Sequence, residues 1–385
     1  MNKINELIRK LCPNGVEYRR LEKCCNILDN KRKPVKKGER KEGKYPYYGA
    51  NGIQDYVEDY IFDGRFVLVG EDGSVINTSG NPVVNWAEGK IWVNNHAHII
   101  EEIEGINLRY LFHYIQTLDV TDLIHGNIPK LNQGDFRGLL IAVPPIEVQQ
   151  EIVRILDKFS ELEAELEAEL EARKQQYEYW RSNIFDKDMK YYRLDEICDI
   201  CAGGTPTKSK SEYWNNGSIK WLGSTVCKNQ KNVDDVTDYI TELGLQKSSA
   251  KLLKKETTLI AMVGATIGKV AFLNFEACTN QNVAALYPKD VDKLNTSYLY
   301  YACRNLYEKF LDFANGKFAM ASLSYIKSLE IPVPSIKEQE KIVNILDKFE
   351  KLTKDISEGL PAEIELRRKQ YEYYRDKLLS FEELK

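Results

Sequence analysis

The stretch that decides the fold is IAVPPIEVQQEIVRILDKF, from Ile141 to Phe159, because the chain contains it twice. The second copy, IPVPSIKEQEKIVNILDKF, runs from Ile331 to Phe349 at a constant offset of 190 residues. A duplicated unit constrains the architecture of a chain before any single element is assigned. We therefore predict two tandem units, each made of a globular region followed by a long helix.

The duplication extends on both sides of this stretch. RKQQYEYWR, from Arg173 to Arg181, matches RRKQYEYYR, from Arg367 to Arg375, at an offset of 194, so the second copy has four additional residues. Two weaker matches are GNIPKLNQGDFRGLLI with GKFAMASLSYIKSLEI, starting at Gly126 and Gly316, and Arg20-Leu21-Glu22 with Arg193-Leu194-Asp195. Each piece therefore occurs twice in the same order.

Both repeated stretches have the apolar spacing of a long amphipathic helix, at steps of three and four residues. The apolar positions are Ile152, Ile155, Phe159, Leu162, Leu166 and Leu170 in the first copy, and Ile342, Ile345, Phe349, Leu352, Ile356 and Ile364 in the second. We expect the first helix over 147–185, and we expect Gly359-Leu360-Pro361 to kink or interrupt the second. Two such helices pack most economically as an antiparallel coiled coil. The alternative is that each helix folds back on its own domain.

The globular regions mix short strand-like runs with turns and helices. Strands are predicted within 66–70, 90–100, 258–264 and 269–275, and helices within 108–118 and 297–313. The predicted fold class is α/β: two mixed α/β domains in tandem, each followed by a long helix, with the helices forming an antiparallel coiled coil of pseudo-two-fold symmetry. The predicted boundaries are 1–143 for domain 1, 144–186 for its helical spacer, 187–333 for domain 2 and 334–385 for the second spacer.

The composition is that of a globular protein, with 43% hydrophobic and 29% charged residues in 385. The chain has no apolar run of about 18 residues and no secretory signal pattern at its start, so we expect a cytoplasmic protein with reduced cysteines and no membrane partner. The net charge of −4 argues against a uniformly basic surface, but it does not exclude local basic patches.

Several motifs imitate catalytic or metal sites. Gly264-Ala265-Thr266-Ile267-Gly268-Lys269 is one residue short of a phosphate-binding loop, and we interpret it as a tight turn between strands. Asp72 followed by Glu88-Gly89-Lys90 resembles a metal-nuclease pattern that also arises by chance. Cys198 and Cys201 form a single CxxC, which lacks a second pair for zinc. We therefore expect no catalytic residue and no metal site on this chain.

Two histidines, His96 and His98, alternate along a predicted strand, so their side chains could share one face. No obvious third metal ligand lies near them in the sequence. We therefore favour a polar strand edge in contact with a ligand over a metal site.

A basic segment is the strongest binding signal. The residues from Lys31 to Lys44 include eight basic and two acidic side chains, a density suited to phosphate contacts. Tyrosines, glycines and Asn51 follow it directly. The corresponding loop of the second unit runs from Gly203 to Lys210, where glycine, threonine and lysine suit contacts to a nucleic-acid backbone. The alternative for each segment is a solvated loop without a ligand.

These residues resemble the specificity subunit of type I restriction-modification systems. PPIEVQQEIVRILDKF, PSIKEQEKIVNILDKF, QQYEYWR and KQYEYYR are similar to the two helical regions of that family. YPYYGANGIQDYV, from Tyr45 to Val57, and GGTPTKSKSEYWNNGSIKWLGS, from Gly203 to Ser224, resemble the openings of target recognition domains. The likeness covers essentially the whole chain.

The resemblance implies a non-catalytic DNA reader in which each domain contacts one half of a bipartite, asymmetric target in double-stranded DNA, while the helices set the gap. It implies two modification subunits that use S-adenosylmethionine to methylate adenine, and restriction subunits that use ATP and magnesium, with no cofactor on this chain. The DNA-binding residues expected from it and from the basic segment are Lys31, Arg32, Lys33, Lys36, Lys37, Tyr48, Asn51, His96, Thr205, Thr207, Lys208 and Ser224.

Three other functions stay open on the sequence alone. The chain could be the recognition subunit of a related system whose partner combines nuclease and methyltransferase. It could be a metal-dependent nuclease using Asp72 and Glu88. It could also be a coiled-coil scaffold without a nucleic-acid partner.

Overall fold

The computed structural model describes residues 2–78, 80–185, 189–313, 320–354 and 358–384. The chain divides into two compact units. Unit 1 comprises Met1–Ala168 and Ala362–Lys385, and unit 2 comprises Glu169–Pro361. Unit 1 is therefore completed by the C-terminal segment of the chain.

The regular elements of the first half are α1 (Asn2–Leu11), β1 (Glu17–Arg20), β2 (Asn26–Ile27), β3 (Glu42–Gly49), β4 (Gly52–Val57), β5 (Phe62–Gly70), β6 (Val84–Val93), β7 (Ala97–Glu101), α2 (Leu108–Ile115), β8 (Ile124–His125), β9 (Lys130–Leu131), α3 (Gln133–Gly138), β10 (Leu140–Val143) and α4 (Ile146–Asn183).

Those of the second half are β11 (Tyr191–Arg193), α5 (Leu194–Ile197), β12 (Cys198–Ala202), β13 (Ile219–Leu222), β14 (Asp238–Ile240), α6 (Glu242–Gln246), β15 (Thr258–Ala261), β16 (Val270–Phe272), β17 (Cys278–Thr279), β18 (Val283–Pro288), α7 (Thr296–Arg304), α8 (Tyr307–Phe313), α9 (Leu323–Ser328), β19 (Glu330–Pro332), α10 (Ile336–Lys354) and α11 (Leu360–Leu378).

Unit 1 is built on a six-stranded sheet of order β2-β7-β5-β6-β3-β4. All neighbouring strands are antiparallel except β3 and β6, which pair in parallel through Tyr48 and Val93. Helix α2 packs on this sheet, where the Phe112 ring meets the Trp86 ring at 6.1 Å. The mixed α/β character predicted for the domain is confirmed.

Unit 2 has two larger sheets, β12-β18-β15-β16 and β14-β13-β17, besides the two-stranded pair of β11 and β19. It too has a parallel pair, β13 with β17, joined through Leu222 and Thr279. The aromatic residues of α7, including Tyr298, Tyr300 and Tyr301, are fully buried against the first sheet and form the centre of its core.

The tandem repeat is visible in the way each domain closes. Strand β1 pairs antiparallel with β10, and β11 pairs antiparallel with β19. Next to these pairs, the Leu21 N–H donates to the Leu139 carbonyl and the Leu194 N–H donates to the Leu329 carbonyl, both at 2.8 Å. The two acceptors, Leu139 and Leu329, are 190 residues apart, which is the offset of the repeat. The weak sequence match between 20–22 and 193–195 therefore marks structurally equivalent positions.

The long helices agree with the sequence. Helix α4 is continuous from Ile146 to Asn183, close to the predicted 147–185. The second stretch consists of two helices, since α10 ends at Lys354 and α11 begins at Leu360. The predicted interruption near Gly359-Leu360-Pro361 is confirmed, because proline is tolerated in the first turn of a helix but not in its interior.

Two runs that the sequence predicts as single elements are each divided into two elements in the structure. The run 90–100 is not one strand, because β6 ends at Val93 and β7 starts at Ala97. The run 297–313 forms two helices, α7 and α8, with a break after Arg304.

In unit 1, α11 packs against α4 and α2. Arg368 pairs with Glu163 and Glu167, each at 2.5 Å. The Tyr374 ring stacks on Phe159 at 5.3 Å. Because the contacts move toward lower numbers on α4 as they move toward higher numbers on α11, the two segments are antiparallel within this unit. Among the described residues, no helix combines the length and apolarity needed to span a membrane.

Candidate nucleic-acid interface

The basic segment of unit 1 runs beside the end of β6. The Lys33 N–H donates to the Val93 carbonyl at 3.3 Å, and the Trp92 indole N–H donates to the Lys33 carbonyl at 2.6 Å. These bonds hold the start of the segment next to the turn that joins β6 and β7.

The two arginines of this segment, Arg32 and Arg40, bind inside the domain. Arg32 Nη1 lies 2.6 Å from Glu71 Oε2 and 2.6 Å from the Ala97 carbonyl, and the side chain is only 10% exposed. Arg40 pairs with Asp55 at 3.3 Å, and its guanidinium lies 4.1 Å from the centre of the Tyr47 ring. Arg32 therefore differs from the other predicted DNA-binding residues, because its side chain is engaged inside the domain. A planar guanidinium suits such a buried site with several acceptors.

The lysines of the same segment point to solvent. Lys31, Lys33, Lys36 and Lys37 are exposed, and within the described ranges no carboxylate lies within 4 Å of their ammonium groups. An unpaired, flexible ammonium group suits contact with phosphate oxygens. These four side chains thus carry most of the unpaired positive charge of the segment, together with the exposed Lys44.

A buried ionic cluster supports this part of unit 1. Asp29, Glu71 and His98 bring potential metal-ligand atoms within 4.8 Å of one another. Burial acts to raise the pKa of Asp29, but hydrogen bonds from His98 and the Ile99 N–H, together with the Arg32 charge, outweigh it and lower that pKa. Arg32 and Lys130 already form ion pairs with the carboxylates of Asp29 and Glu71. The three side chains therefore fit an internal salt-bridge network better than a cation site.

The turn between β6 and β7 carries exposed polar side chains. The Asn94 side-chain oxygen accepts from the His96 N–H at 2.8 Å, which shapes the turn. Asn95 and His96 are exposed, and the His96 ring contacts Asp72 in the loop after β5. His98, by contrast, is fully buried on β7. The two histidines therefore do not share one exposed face.

Tyr48 and Asn51 lie at the β3–β4 turn beside this cluster. Asn51 is exposed at the tip, whereas Tyr48 is only 8% exposed and packs in the core. A Cβ on Gly70 would lie 2.2 Å from the Ser74 carbonyl oxygen and 3.3 Å from the Ala50 carbonyl oxygen, so glycine allows both the loop that holds Asp72 and this turn to approach the end of β5. The structure brings Asn51 and His96 to one edge, and it places the Tyr48 ring inside.

In unit 2 the predicted residues gather around the turn between β17 and β18. Thr205 Oγ1 donates to Gln281 Oε1 at 2.6 Å. Ser224 follows Gly223, whose neighbour Leu222 accepts from the Asn280 N–H at 2.9 Å. Thr205 and Ser224 therefore both lie next to this turn.

Thr207 and Lys208 are exposed in the loop that follows Thr205. The Thr207 carbonyl accepts from the Trp214 indole N–H at 3.2 Å and from the Lys210 N–H at 3.1 Å. The backbone of the loop is thus fixed while both side chains face solvent.

The same backbone frame presents these loops in both units, with hydrogen bonds of 2.8–3.3 Å. In unit 1 the bonds run from Lys33 N to Val93 O, Asn94 N to Tyr48 O, Glu71 N to His96 O and Leu131 N to Glu71 O. In unit 2 they run from Gly204 N to Thr279 O, Asn280 N to Leu222 O, Met262 N to Asn282 O and Ala321 N to Met262 O. The basic segment of unit 1 is therefore equivalent to the loop at 203–210, and the turn at 94–96 to the turn at 280–282.

The rival catalytic motifs are not assembled. The strand register pairs Val69 with Val84 and Arg65 with Glu88. Asp72 therefore lies beyond the Val69–Val84 end of the β5–β6 ladder, whereas Glu88 lies within the ladder, several residue pairs away. The segment starting at Gly264 is a short turn between β15 and β16, as predicted. Burial raises the pKa of Cys198 to about 12, which leaves its thiol protonated and packed in the core.

A family model described as the type I restriction modification DNA specificity domain matches residues 13–172 and again 186–366. The chain belongs to the type I restriction-modification specificity-subunit family. The two matches cover the duplicated halves found in the sequence.

Relatives of this specificity subunit cover most of the chain. A type I restriction enzyme specificity subunit from Haemophilus influenzae is 36% identical over 383 residues, which is 95% of this chain and 96% of the relative. The EcoR124I/EcoR124II specificity subunit of Escherichia coli is 38% identical over 290 residues, or 71% of each chain.

Solved structures support the fold of this specificity subunit. The S subunit from M. genitalium has a TM-score of 0.57 at 17% identity and covers 95% of this chain and 96% of its own. HsdS from Thermoanaerobacter tengcongensis has a TM-score of 0.51 at 19% identity and covers 95% of this chain and 97% of its own. At this identity the likeness concerns the fold alone.

Sequence reasoning missed the polar residues in the middle of the two equivalent turns of the specificity subunit, Asn95 and Gln281. Both are exposed. The consecutive asparagines at 94 and 95 are the signal in the sequence that indicates the first of these turns within the 90–100 run.

Proposed function

We propose that this specificity subunit reads a bipartite, asymmetric target in double-stranded DNA, with one recognition domain on each half. The observation that carries the proposal is the recurrent hydrogen-bond frame, which presents a phosphate-suited loop and a polar turn side by side in each unit. Phosphate contacts supply affinity, and groove contacts from the turns supply sequence information.

The proposed interface contains the exposed and half-buried members of the predicted set and omits Arg32 and Tyr48. In the first domain it comprises Lys31, Lys33, Lys36, Lys37, Asn51 and His96, and in the second Thr205, Thr207, Lys208 and Ser224. Arg32 and Tyr48 support it from within, since their side chains are 10% and 8% exposed.

The long helices act as a ruler in this proposal. We assign 1–143 and 187–333 to recognition and the helical spacers 144–186 and 334–385 to an antiparallel coiled coil with pseudo-two-fold symmetry. The antiparallel packing of α11 on α4 in unit 1 supports it. In unit 2, the Tyr177 hydroxyl of α4 donates to Glu350 of α10 at 3.1 Å, and this contact between the two helical segments also supports the proposal. Half-sites read from one side of the duplex would lie about one helical turn apart.

The chain works in this proposal as a non-catalytic subunit in the cytoplasm. Two modification subunits supply methylation with S-adenosylmethionine, and restriction subunits use ATP and magnesium. The separation of Asp72 from Glu88 favours this division of labour over the nuclease alternative.

Methylome sequencing of cells that carry this chain with its modification subunits tests the proposal. We expect methylated adenines within one split motif, and deletion of this chain removes them. A continuous motif, or methylation that persists without this chain, contradicts the proposal.

A further inference from the structure

Two equivalent turns each present one carboxamide at their centre. Asn95 lies between Asn94 and His96, and Gln281 lies between Asn280 and Asn282. In each turn the first asparagine accepts, through its side-chain oxygen, the N–H two residues later, at 2.8 Å in unit 1 and 3.0 Å in unit 2. The central side chain is exposed in both. The same amide group is thus displayed from the same frame by both domains.

The surroundings of these turns suit a nucleic acid. The segment of Lys33 is bonded to the residue just before the first turn, and the segment of Gly204 is bonded to the residue just before the second. Each carries exposed cationic or hydroxyl side chains within a few residues. A phosphate held there would leave the adjacent turn facing a groove.

The carboxamide of Gln281 is already oriented. Its Oε1 accepts the Thr205 hydroxyl proton at 2.6 Å, which leaves the amide N–H groups and a second oxygen lone pair for a ligand. A side chain held in its binding conformation loses less conformational entropy on binding. Thr205 is therefore a positioning residue for this amide.

We propose that Asn95 and Gln281 read an A·T base pair in the major groove, one in each half of the target. An asparagine or glutamine amide can donate to adenine N7 and accept from its N6 amino group at the same time, which no other base permits in this way. This inference rests on the proposed function and specifies which side chains carry sequence information.

The test is methylome sequencing with the full-length chain and its modification subunits, comparing wild type with Asn95→Ala and Gln281→Ala. Each variant lowers the preference for adenine at one motif position, other than the methylated base, by about 5- to 150-fold. The two variants act on opposite halves. Gln281→Glu, which can only accept, shifts the preference at the same position toward cytosine.

Gln175→Ala is the matched control, because Gln175 is an exposed amide on α4 away from both turns. It leaves the motif unchanged. Thr205→Val lowers the adenine preference at the Gln281 position and leaves the base preferences of the other half-site unchanged. A merely structural role would instead lower methylation at every site without changing the preference at one position.

The outcomes separate the inference from the proposed function. A wild-type chain without a split motif contradicts the function. A split motif that both alanine variants leave intact overturns the inference alone. Loss of methylation at every site, with unchanged thermal unfolding of the variant, also overturns it, because it assigns the amides to general affinity.

Discussion

At the scale of single residues, the basic segment divides its work by side-chain type. The guanidinium groups of Arg32 and Arg40 bind carboxylates within unit 1, while the neighbouring lysines remain exposed. The difference follows from their chemistry, since a guanidinium is weakly hydrated and multidentate whereas an ammonium is a strongly hydrated point charge. Composition alone cannot distinguish a cation that supports the fold from one that binds DNA.

Removing three of the exposed lysines should weaken DNA binding without sequence bias. We expect the triple variant Lys33→Ala, Lys36→Ala and Lys37→Ala to bind all sequences less tightly. The slope of log K against log salt should become shallower by up to about 2.7 if each lysine contacts one phosphate. Fluorescence anisotropy of the full complex over a salt series measures this.

The matched control removes three lysines from α10, with Lys337→Ala, Lys341→Ala and Lys348→Ala, which are also exposed. This variant has the same change in net charge. An equal loss of salt dependence in both triples would remove the basic segment from the interface.

How far the sequence predicts individual site residues depends on burial. Lys33, Asn51 and Thr207 are exposed as a binding role requires, whereas Tyr48 is in the core. Tyr48 is buried because β3 pairs in parallel with β6, and this pairing places the Tyr48 ring in the hydrophobic core on the sheet. That pair joins residues far apart in the chain, so local periodicity gives no indication of it.

At the scale of elements, one repeated glutamine docks each long helix on its domain. The buried Gln149 side chain accepts from the Asn107 N–H at 2.8 Å and donates to the Pro144 carbonyl at 2.8 Å. Gln339 makes the same bonds to Asn295 and Pro334, at 2.8 and 2.9 Å. In each glutamine the carboxamide oxygen and nitrogen both have hydrogen-bond partners, although the side chain is fully buried.

Gln149→Ala should destabilise unit 1 by about 1–3 kcal/mol, because it leaves buried backbone groups without partners. Urea unfolding followed by hydrogen exchange measures the loss and assigns it to α2 and the start of α4. Gln150→Ala is the control, since the neighbouring side chain is exposed, and it should change stability by less than about 0.5 kcal/mol. Equal effects of the two substitutions would contradict the docking role.

A buried histidine makes the packing of α2 dependent on pH. The His113 ring bonds Asp157 of α4 and the Tyr371 hydroxyl of α11, each at 2.8 Å. Burial lowers the pKa of His113 in spite of the hydrogen bond to Asp157. A histidine with a lowered pKa contributes stability that is present above its unfolded value of about 6.5 and is lost as the pH falls.

We therefore expect unit 1 to lose stability as the pH falls below about 6.5, and His113→Gln to flatten this dependence while lowering stability at pH 7.5. Chemical unfolding at each pH, followed by hydrogen exchange on α2 and α11, provides the measurement. His125→Gln serves as the control, because that ring is 65% exposed. A variant at position 113 with the full wild-type pH dependence would exclude this residue as the cause.

The long helices could be predicted from the sequence, because their apolar spacing and the break at Gly-Leu-Pro depend only on residues close together in the chain. The boundaries of α4 and the break before α11 follow from sequence spacing. The break within 90–100 does not follow in the same way, because the β-branched and aromatic residues on both sides favour one strand and outweigh the short turn signal of the asparagines at 94 and 95. The turn is held by a hydrogen bond from the His96 N–H to the Asn94 side chain.

At the scale of the whole molecule, the C-terminal segment is part of unit 1. The Val16 N–H donates to the Glu382 carbonyl at 2.9 Å, and the Leu384 N–H donates to the Val16 carbonyl at 2.8 Å. Gly15 has a φ of 95°, and a side chain there would lie 2.6 Å from the Glu382 carbonyl oxygen, so this closure requires glycine. A recognition domain is therefore exchangeable only together with its contacts to the last residues.

Exchanging residues 1–140 for the corresponding part of another specificity subunit should change one half of the methylated motif and leave the other half intact, because unit 2 retains all of its own core. The exchange should succeed when the incoming domain has glycine at the position of Gly15 and a hydrogen-bonding ring at that of His113. A chimera with alanine in place of that glycine should unfold at a lower temperature and methylate less, yet at the same changed motif. Methylome sequencing of both chimeras reads the two halves separately, and a change in both halves would show that the domains do not read DNA independently.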